Sequence, residues 1–504
     1  MKNLATPSIP DTSTNKDLIS RSNLHPTNFG IFDNFDVFYI FRIPRFAYIN
    51  LLLLLFLFSS AKSYGQTEIT RWYNGKSSAI SITYDGGTIN QFKVALPIMN
   101  KLNLPATFYV VTGDISDSQD KGEFIGRDVR EIIKEAKVIP VNKDNFFERA
   151  SAIRYAGSME ARLYHTRAGD MFELGKFEEA YRHIQEAYDK INSGEIKAEN
   201  PSNIYDNPDV DITWSEIREI AKHGHEFGSH TVTHPQLAIY DNANLLYELE
   251  KSKEEILKNL GPAHIFSAEC PHGTENKRVM EFAYKLHPAL RNRMPEPFLE
   301  EINRWNRMAP GTSSKEYVQW QRGPKTSTSL DAMNAWVDTC LAYEKVWLVL
   351  TFHGVDGIGY EPKTGAEMSE FFNYIKRNED KIWTATFMDA VKYIRERMYS
   401  SIRQTTPGDK VSCEITSGDK VSGDKISEHK ASGDKILVEL KHSLDKELYD
   451  HPLTLKTYIP KEWAGATVRQ GNTHLKAELL NDSKGRYILY NALPNSKIIH
   501  IEQR

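Results

Sequence analysis

Short β-rich runs alternate with amphipathic helical segments from about residue 68 to residue 400. The runs are AISITY (79–84), ATFYVV (106–111), EFGSH (226–230), HIFSAE (264–269), VWLVLTF (346–352) and IWTATF (382–387). Between them lie segments such as 241–260, where Leu245, Leu249, Ile256 and Leu260 recur at helical spacing. Asp241 or Asn242 can cap its start, and Gly261 follows its end. Strand–helix alternation of this kind builds a parallel sheet, open or closed into a barrel. Parallel barrels place their active sites at the carboxyl ends of the strands. Here the first run ends at Asp85, the third runs into His230, the fourth into Glu269 and the fifth into His353. Several strands thus bring ionisable groups to one mouth.

The chain has 504 residues, 40% of them hydrophobic and 11% aromatic, which supports a large core and two or three domains. Its 63 lysines and arginines against 67 acidic residues, a formal charge of −4, give no electrostatic footprint for nucleic acid. Cys270, Cys340 and Cys413 are too scattered for a disulfide framework or a thiolate zinc site, and free thiols are expected. Residues 46–61, FAYINLLLLLFLFSSA, follow Arg42 and Arg45 and are short for a membrane span, which needs about 20 residues. Ser63 and Gly65 stand at the −3 and −1 positions before Gln66. An export signal with a long n-region is expected over 1–65, with no transmembrane segment left after cleavage. The protein would then be periplasmic, cell-surface or secreted.

Residues 66–403 read as the (β/α) unit, with an insertion over about 114–212. Within it GKFEEAYRHIQEAYDKI (175–191) predicts a helix with Phe177, Ala180, Ile184 and Tyr188 on one face, part of a helical hairpin that either walls a cleft or simply packs. Residues 404–435 repeat Gly-Asp-Lys from 408, 418, 423 and 433 and read as a solvated linker. Beyond it, 436–504 alternates in the β period (ILVELKHSL, LTLKTYI, RYILYNAL) and predicts a small β-sandwich, with a carbohydrate-binding or a packing role.

GHEFGSHTVTHP (224–235) is the stretch richest in chemistry. His230 and His234 are four apart, so one helical turn puts both imidazoles on one side, about 5–6 Å apart at Cβ. Pro235 limits that turn, because a residue before proline avoids the α region. With His225 close by, the pair is a chelate for zinc or a similar cation.

TYDGG (83–87), HTVTHP (230–235), ECPHG (269–273) and LTFHG (350–354) follow the order of the motifs of the polysaccharide deacetylases with a NodB-type domain, the fourth carbohydrate esterase family. The chain resembles that family over about 70–400, apart from the insertion. The resemblance implies a distorted (β/α) barrel that hydrolyses N-acetyl or O-acetyl groups on a polysaccharide or oligosaccharide. It implies a divalent metal, zinc or else cobalt or nickel, on His230 and His234, with Asp85 as general base and His353 as general acid. Two departures stand out. The family's first motif reads T-F-D-D-G, and its second aspartate, a metal ligand, is Gly86 here. The third motif normally carries an arginine that pairs with the catalytic aspartate, and an aromatic residue; Glu269 and His272 stand at those places.

Three readings of Gly86 follow. Asp85 turns to become the ligand; Glu269 or His272 completes the metal sphere; or the site binds metal weakly and is not hydrolytic. The expected function is an exported deacetylase with a rearranged metal sphere. The alternative is a catalytically silent carbohydrate-binding protein that keeps the barrel. A metal-independent amide or cyclic-imide hydrolase fits an exported chain poorly, and no G-x-S-x-G elbow supports a serine hydrolase. Asp338 resembles a helix position that orients His353, and reads equally as a solvated helix aspartate. Trp320, Trp336, Trp347 and Trp383 are candidate sugar platforms or core, Arg322 is a candidate contact for an anionic substrate, and Tyr84 is expected to pack beside the site.

Overall fold

The computed structural model describes residues 66–197, 207–405, 412–414 and 435–504. The export signal and most of the Gly-Asp-Lys linker lie outside the described residues. The first strands are β1 (Thr67–Ile69), β2 (Ser78–Gly86), β3 (Ala106–Val110), β4 (Glu226–Ser229) and β5 (Ser267–Ala268). There follow β6 (Ala289–Leu290), β7 (Glu300–Ile302), β8 (Val318–Arg322), β9 (Val346–Phe352) and β10 (Ile382–Thr384). Strands β2 to β10 form one 9-stranded sheet in the order β6-β5-β4-β3-β2-β9-β8-β7, with β10 beside the first residues of β2. Every pairing in it is parallel, and the sheet curls into a distorted half-barrel. β2 and β9 are buried almost throughout, as parallel strands covered on both faces must be. The curl stays open between β6 and β7. There β8 reaches across, and Nε2 of Gln319 and Gln321 donates to the Arg291 carbonyl at 3.2 and 2.6 Å.

The helices are α1 (Leu96–Leu102), α2 (Val129–Glu135), α3 (Phe146–Arg154), α4 (Met159–Glu173), α5 (Phe177–Ser193) and α6 (Trp214–Ala221). They continue with α7 (Asn242–Leu260), α8 (Lys277–Ala283), α9 (Leu330–Ala342), α10 (Gly365–Arg377) and α11 (Phe387–Met398). α7 has the predicted ends: Asp241 accepts from the Ala243 and Asn244 amides, and Gly261 follows at φ +87°. Two strands are shorter than their apolar runs. A 3-10 turn over Pro262–Ile265 consumes the start of HIFSAE, and Thr386 caps α11 where IWTATF was expected to continue as strand. The insertion is more than a hairpin. α2 to α5 share a core of their own that includes Ile132, Phe146, Ile153, Ile184 and Tyr188.

The antiparallel part begins earlier than residue 436. Its strands are β1 together with β11 (Ser400–Thr405), β12 (Ser412–Glu414), β13 (Lys435–His442), β14 (Leu453–Tyr458), β15 (Ala466–Gln470), β16 (Thr473–Leu475), β17 (Ala477–Asp482), β18 (Gly485–Ala492) and β19 (Ile499–Gln503). They make two sheets, β1-β14-β18-β17 and β12-β11-β13-β19-β15-β16. Ile69, Ile402, Val438, Leu455, Ile488 and Ile501 lie in a common core. One strand thus comes from ahead of the barrel and another from ahead of the linker, because the apolar faces of β13 and β14 need partners that 436–504 alone does not supply. Among the described residues no helix is long and apolar enough to cross a membrane.

Glu226 lies in the core where β4 meets the start of α11. It accepts from Thr107 Oγ1 (2.8 Å), Ser267 Oγ (2.5 Å) and the Met388 amide (3.0 Å). Burial pushes its carboxyl up to about 7, against the pull of those donors. A raised carboxyl favours the folded state while protonated, so stability falls as pH rises from about 4.5 to about 7. In Glu226→Gln that slope disappears. Thermal unfolding at pH 5 and pH 8 is expected to show the natural protein losing several degrees more than the variant across that interval, on the order of 5 °C.

Candidate active site

β2 delivers Asp85 to the carboxyl mouth of the sheet, where it is 6% exposed. Gly86 and Gly87 follow at φ +89° and +74°, a left-handed turn that glycine takes without strain. A Cβ on Gly86 would meet nothing within 4 Å. The limit on an aspartate at 86 is therefore the backbone and not the space.

The arginine missing from the third motif is supplied by the end of β6. Arg291 is buried, and its Nη2 donates to Asp85 Oδ2 at 2.5 Å. Its Nη1 donates to Thr83 Oγ1 at 2.5 Å, its Nε to Glu269 Oε2 at 3.2 Å, and Nη2 lies 3.0 Å from Glu269 Oε1. The guanidinium also sits over the Tyr109 ring, 5.1 Å from its centroid. Burial pushes Asp85 up, but Arg291, His230 and His353 together outweigh it and hold the carboxyl below its usual range. Glu269 goes the other way, pushed up to about 8 by burial and by the Asp85 charge despite Arg291. Asp85 is therefore the anion of the pair. Glu269 has both oxygens turned to Arg291.

His353 follows β9, with Nε2 3.5 Å from Asp85 Oδ2. Gln91, at the start of a π-helical turn, ties the two together: its Nε2 donates to the carbonyls of Asp85 (2.7 Å) and His353 (2.8 Å).

His230 and His234 do meet, with ring centroids 4.7 Å apart, but not through a helical turn. Thr231 and His234 have φ of +69° and +56°, so the chain makes a loop after β4. Such residues persist only where the surroundings over-determine them. Glu248, a carboxylate on the buried stripe of α7, accepts from the Val232 and Thr233 amides, each at 2.8 Å, and from Thr233 Oγ1. Arg154 of α3 donates to the Thr233 carbonyl. His230 Nδ1 bonds the Glu269 carbonyl at 2.9 Å, which leaves Nε2 as the coordinating nitrogen. His272, at φ +61°, stands beside His234 with ring centroids 4.6 Å apart. Its Nε2 is buried without a hydrogen-bond partner, as is Asp85 Oδ1. As the side chains stand, no group of three or more His, Cys, Asp or Glu among the described residues is arranged to hold a metal ion. The donors are nevertheless of the right kind for zinc: neutral imidazoles, one oriented from behind by a carbonyl, beside an orphaned buried nitrogen.

Asp85, His230, His234, Glu269, His272 and His353 all line one cavity of about 990 Å³. Other sequence candidates lie elsewhere. His225 sits at the opposite end of β4, bonded to the Ala106 amide and Asn100. Asp338 is on the outer face of α9 and accepts from Tyr374, because Val337 and Cys340 take the inner face. Trp320 and Trp347 are core, and Trp383 packs against Tyr73, Tyr393 and His451. Arg322 lies over Trp320, and Tyr84 is stacked between Phe108 and Phe352. Cys270 and Cys340 are buried free thiols. Sequence reasoning missed Arg291, Gln91, Glu248 and Arg154. Only Glu248 left a signal, as a carboxylate in phase with Leu245, Leu249 and Ile256.

Comparison with known proteins gives the following. Residues 190–289 match the family model described as polysaccharide deacetylase. A gellan lyase from a Bacillus species is 24% identical over 304 residues, covering 56% of this chain, and the chain spans only 11% of that relative's length. Among solved structures, the family 4 carbohydrate esterase PdaA of Bacillus subtilis is 12% identical, covering 68% of this chain and 88% of that one, with a TM-score of 0.29. A family 4 carbohydrate esterase from Streptomyces lividans, in complex with acetate, is 11% identical, with coverage of 61% and 92% and a TM-score of 0.28. The matched stretch lies across the His230–His234 loop and the Glu269–Gly273 turn, and over those residues the chain is similar to the polysaccharide deacetylases.

Proposed function

We propose that the protein is an exported hydrolase that removes acetyl groups from an acetylated glycan, with the chemistry at Asp85, His353 and the histidine loop. The observation that carries the reading is the pairing of Asp85 with Arg291 at 2.5 Å beside His353 at 3.5 Å, in the cavity that also holds His230, His234 and His272. A structural ion pair would not need an imidazole at the same oxygen.

His230, His234 and His272 would hold a divalent cation, which supplies a Lewis acid for the acetyl carbonyl and acidifies water. His272 replaces the carboxylate that Gly86 lacks. Asp85, kept ionised by Arg291, takes the proton of the attacking water. His353 gives a proton to the departing amine or alkoxide; burial holds its imidazole below the usual range, and the Asp85 carboxylate opposes that shift. Gln91 keeps the two at fixed separation through their carbonyls.

The expected result for Asp85→Asn is a loss of kcat of about 10²- to 10⁴-fold in acetate release from acetylated oligosaccharides, with the fold unchanged by circular dichroism. An asparagine variant as active as the natural protein would remove the reading. A silent carbohydrate-binding protein is the second reading, favoured by Gly86 and by the lack, among the described residues, of a convergent three-ligand group. Natural protein that binds oligosaccharide but releases no acetate with zinc or cobalt added would establish it.

A further inference from the structure

We propose that α4, a helix of the insertion, is the substrate-selecting wall of the cleft and seats the sugar ring next to the one that loses its acetyl group. The proposal rests on the deacetylase reading above. Met159, Arg162, Leu163, Thr166 and Asp170 line the same cavity as Asp85, His230 and His353. Their spacing, i, i+3, i+4, i+7 and i+11, is one face of a helix. The opposite face, with Ala161, Tyr164 and Ala168, is buried in the insertion's own core.

On the cleft face Met159 is 61% exposed and Leu163 is 49% exposed. Tyr360, 69% exposed, lines the same cavity, with its ring 5.4 Å from His353. One exposed apolar side chain needs no explanation, but three around a single cavity mark a binding surface. A pyranose ring suits that surface. Its C–H face covers apolar side chains and an aromatic ring, while its hydroxyls meet Arg162 and Thr166 on the same helix face. The cavity, about 990 Å³, is at the top of the roughly 300–1,000 Å³ range of small-molecule pockets, so it extends past a single acetylated ring.

The wall is fixed to the catalytic loops. His165 Nε2 accepts from the Gln236 amide at 3.1 Å, and Gln236 Nε2 donates to Asp170 Oδ1 at 2.7 Å. At Gly169 a Cβ would come 2.5 Å from the Gln236 side chain, so only glycine allows this approach. The Thr274 hydroxyl, just past His272, donates to Glu173. α4 therefore selects by fit against a built surface, held to the loops that carry His234 and His272.

The test uses residues 66–504 with N-acetylglucosamine monomer and pentamer, and in parallel acetylated xylose monomer and pentamer. Acetate release by the natural protein, and its loss in Asp85→Asn, tests the deacetylase reading alone. For the wall, the quantity is kcat/KM for pentamer over monomer in the natural protein and in Met159→Ser/Leu163→Ser, with thermal midpoints compared as the folding control. The expected ratio exceeds 10 in the natural protein and falls at least tenfold in the double variant, mainly through KM. A ratio near one in the natural protein, or one that the variant leaves unchanged, overturns the proposal. If no acetate is released at all, the deacetylase reading fails, and calorimetric titration of the pentamers decides the wall. A tenfold loss of affinity in the variant sustains it; equal affinity or no binding ends it.

Discussion

Arg291→Met is expected to unfold about 10 °C below the natural protein and to lose about 10²-fold or more in kcat. The side chain is buried between two carboxylates, donating to Asp85 at 2.5 Å and to Glu269 at 3.2 Å. Removing one member of a buried ion pair costs about 3–5 kcal/mol, because the Asp85 charge stays in a low-dielectric site without a partner. Both carboxyls then shift upward, and a protonated Asp85 is no base. Stability and catalysis can be separated with the double variant Arg291→Met/Glu269→Gln, which removes one of the stranded acids. Its midpoint should recover several degrees while its kcat stays low, since Asp85 still lacks the guanidinium. Unfolding by calorimetry and acetate release on the same samples measure both. Full recovery of kcat in the double variant would mean that Asp85 needs no guanidinium once the Glu269 acid is gone.

His272→Asn is expected to weaken zinc binding by about 100-fold, measured by competition with a chelator, and to alter the visible absorption of the cobalt-loaded protein. Asparagine is chosen because position 272 has φ +61°, a conformation it tolerates. Catalytic zinc generally keeps three protein ligands, and losses in the outer shell alone cost 10- to 100-fold, so loss of a direct ligand should cost at least as much. Glu269→Gln should leave the metal affinity near its natural value, because that carboxylate faces Arg291 and only its carbonyl touches His230. The opposite pattern, with Glu269 critical and His272 neutral, would assign the third ligand to the carboxylate.

The mouth of the sheet was legible in the sequence because its signal is local. β-branched and aromatic runs end in an ionisable residue, and Asp85, His230, Glu269 and His353 do stand together around one cavity. The histidine pair was found for a partly wrong reason. Four-residue spacing suggests a helical turn, but two left-handed residues make a loop, and the groups that hold it come from α3 and α7. Arg291 was not legible, since it lies 206 residues from Asp85 and follows a strand of only two residues. Glu269 looked available for the same reason: nothing near it in the chain announces the arginine that occupies it. Asp338 is the reverse case: of its two readings, orienting His353 or solvated on a helix, the helix turns it to solvent. The boundary of the antiparallel region was misplaced because a three-residue strand such as β1 carries too little pattern to declare its partner.

That strand has a consequence for the connectivity of the whole molecule. β1 pairs with β14, and β11 pairs with β13 across the Gly-Asp-Lys segment. The hydroxyls of Thr67 and Thr457 are bonded across 390 positions of chain. Covalent continuity between residues 415 and 434 is therefore not what keeps the last seventy residues attached. A protease cut there would leave two fragments that migrate separately in denaturant but together under native conditions. The same topology marks that segment as a place where the chain could be reopened, with new termini, while the barrel and its cleft stay intact.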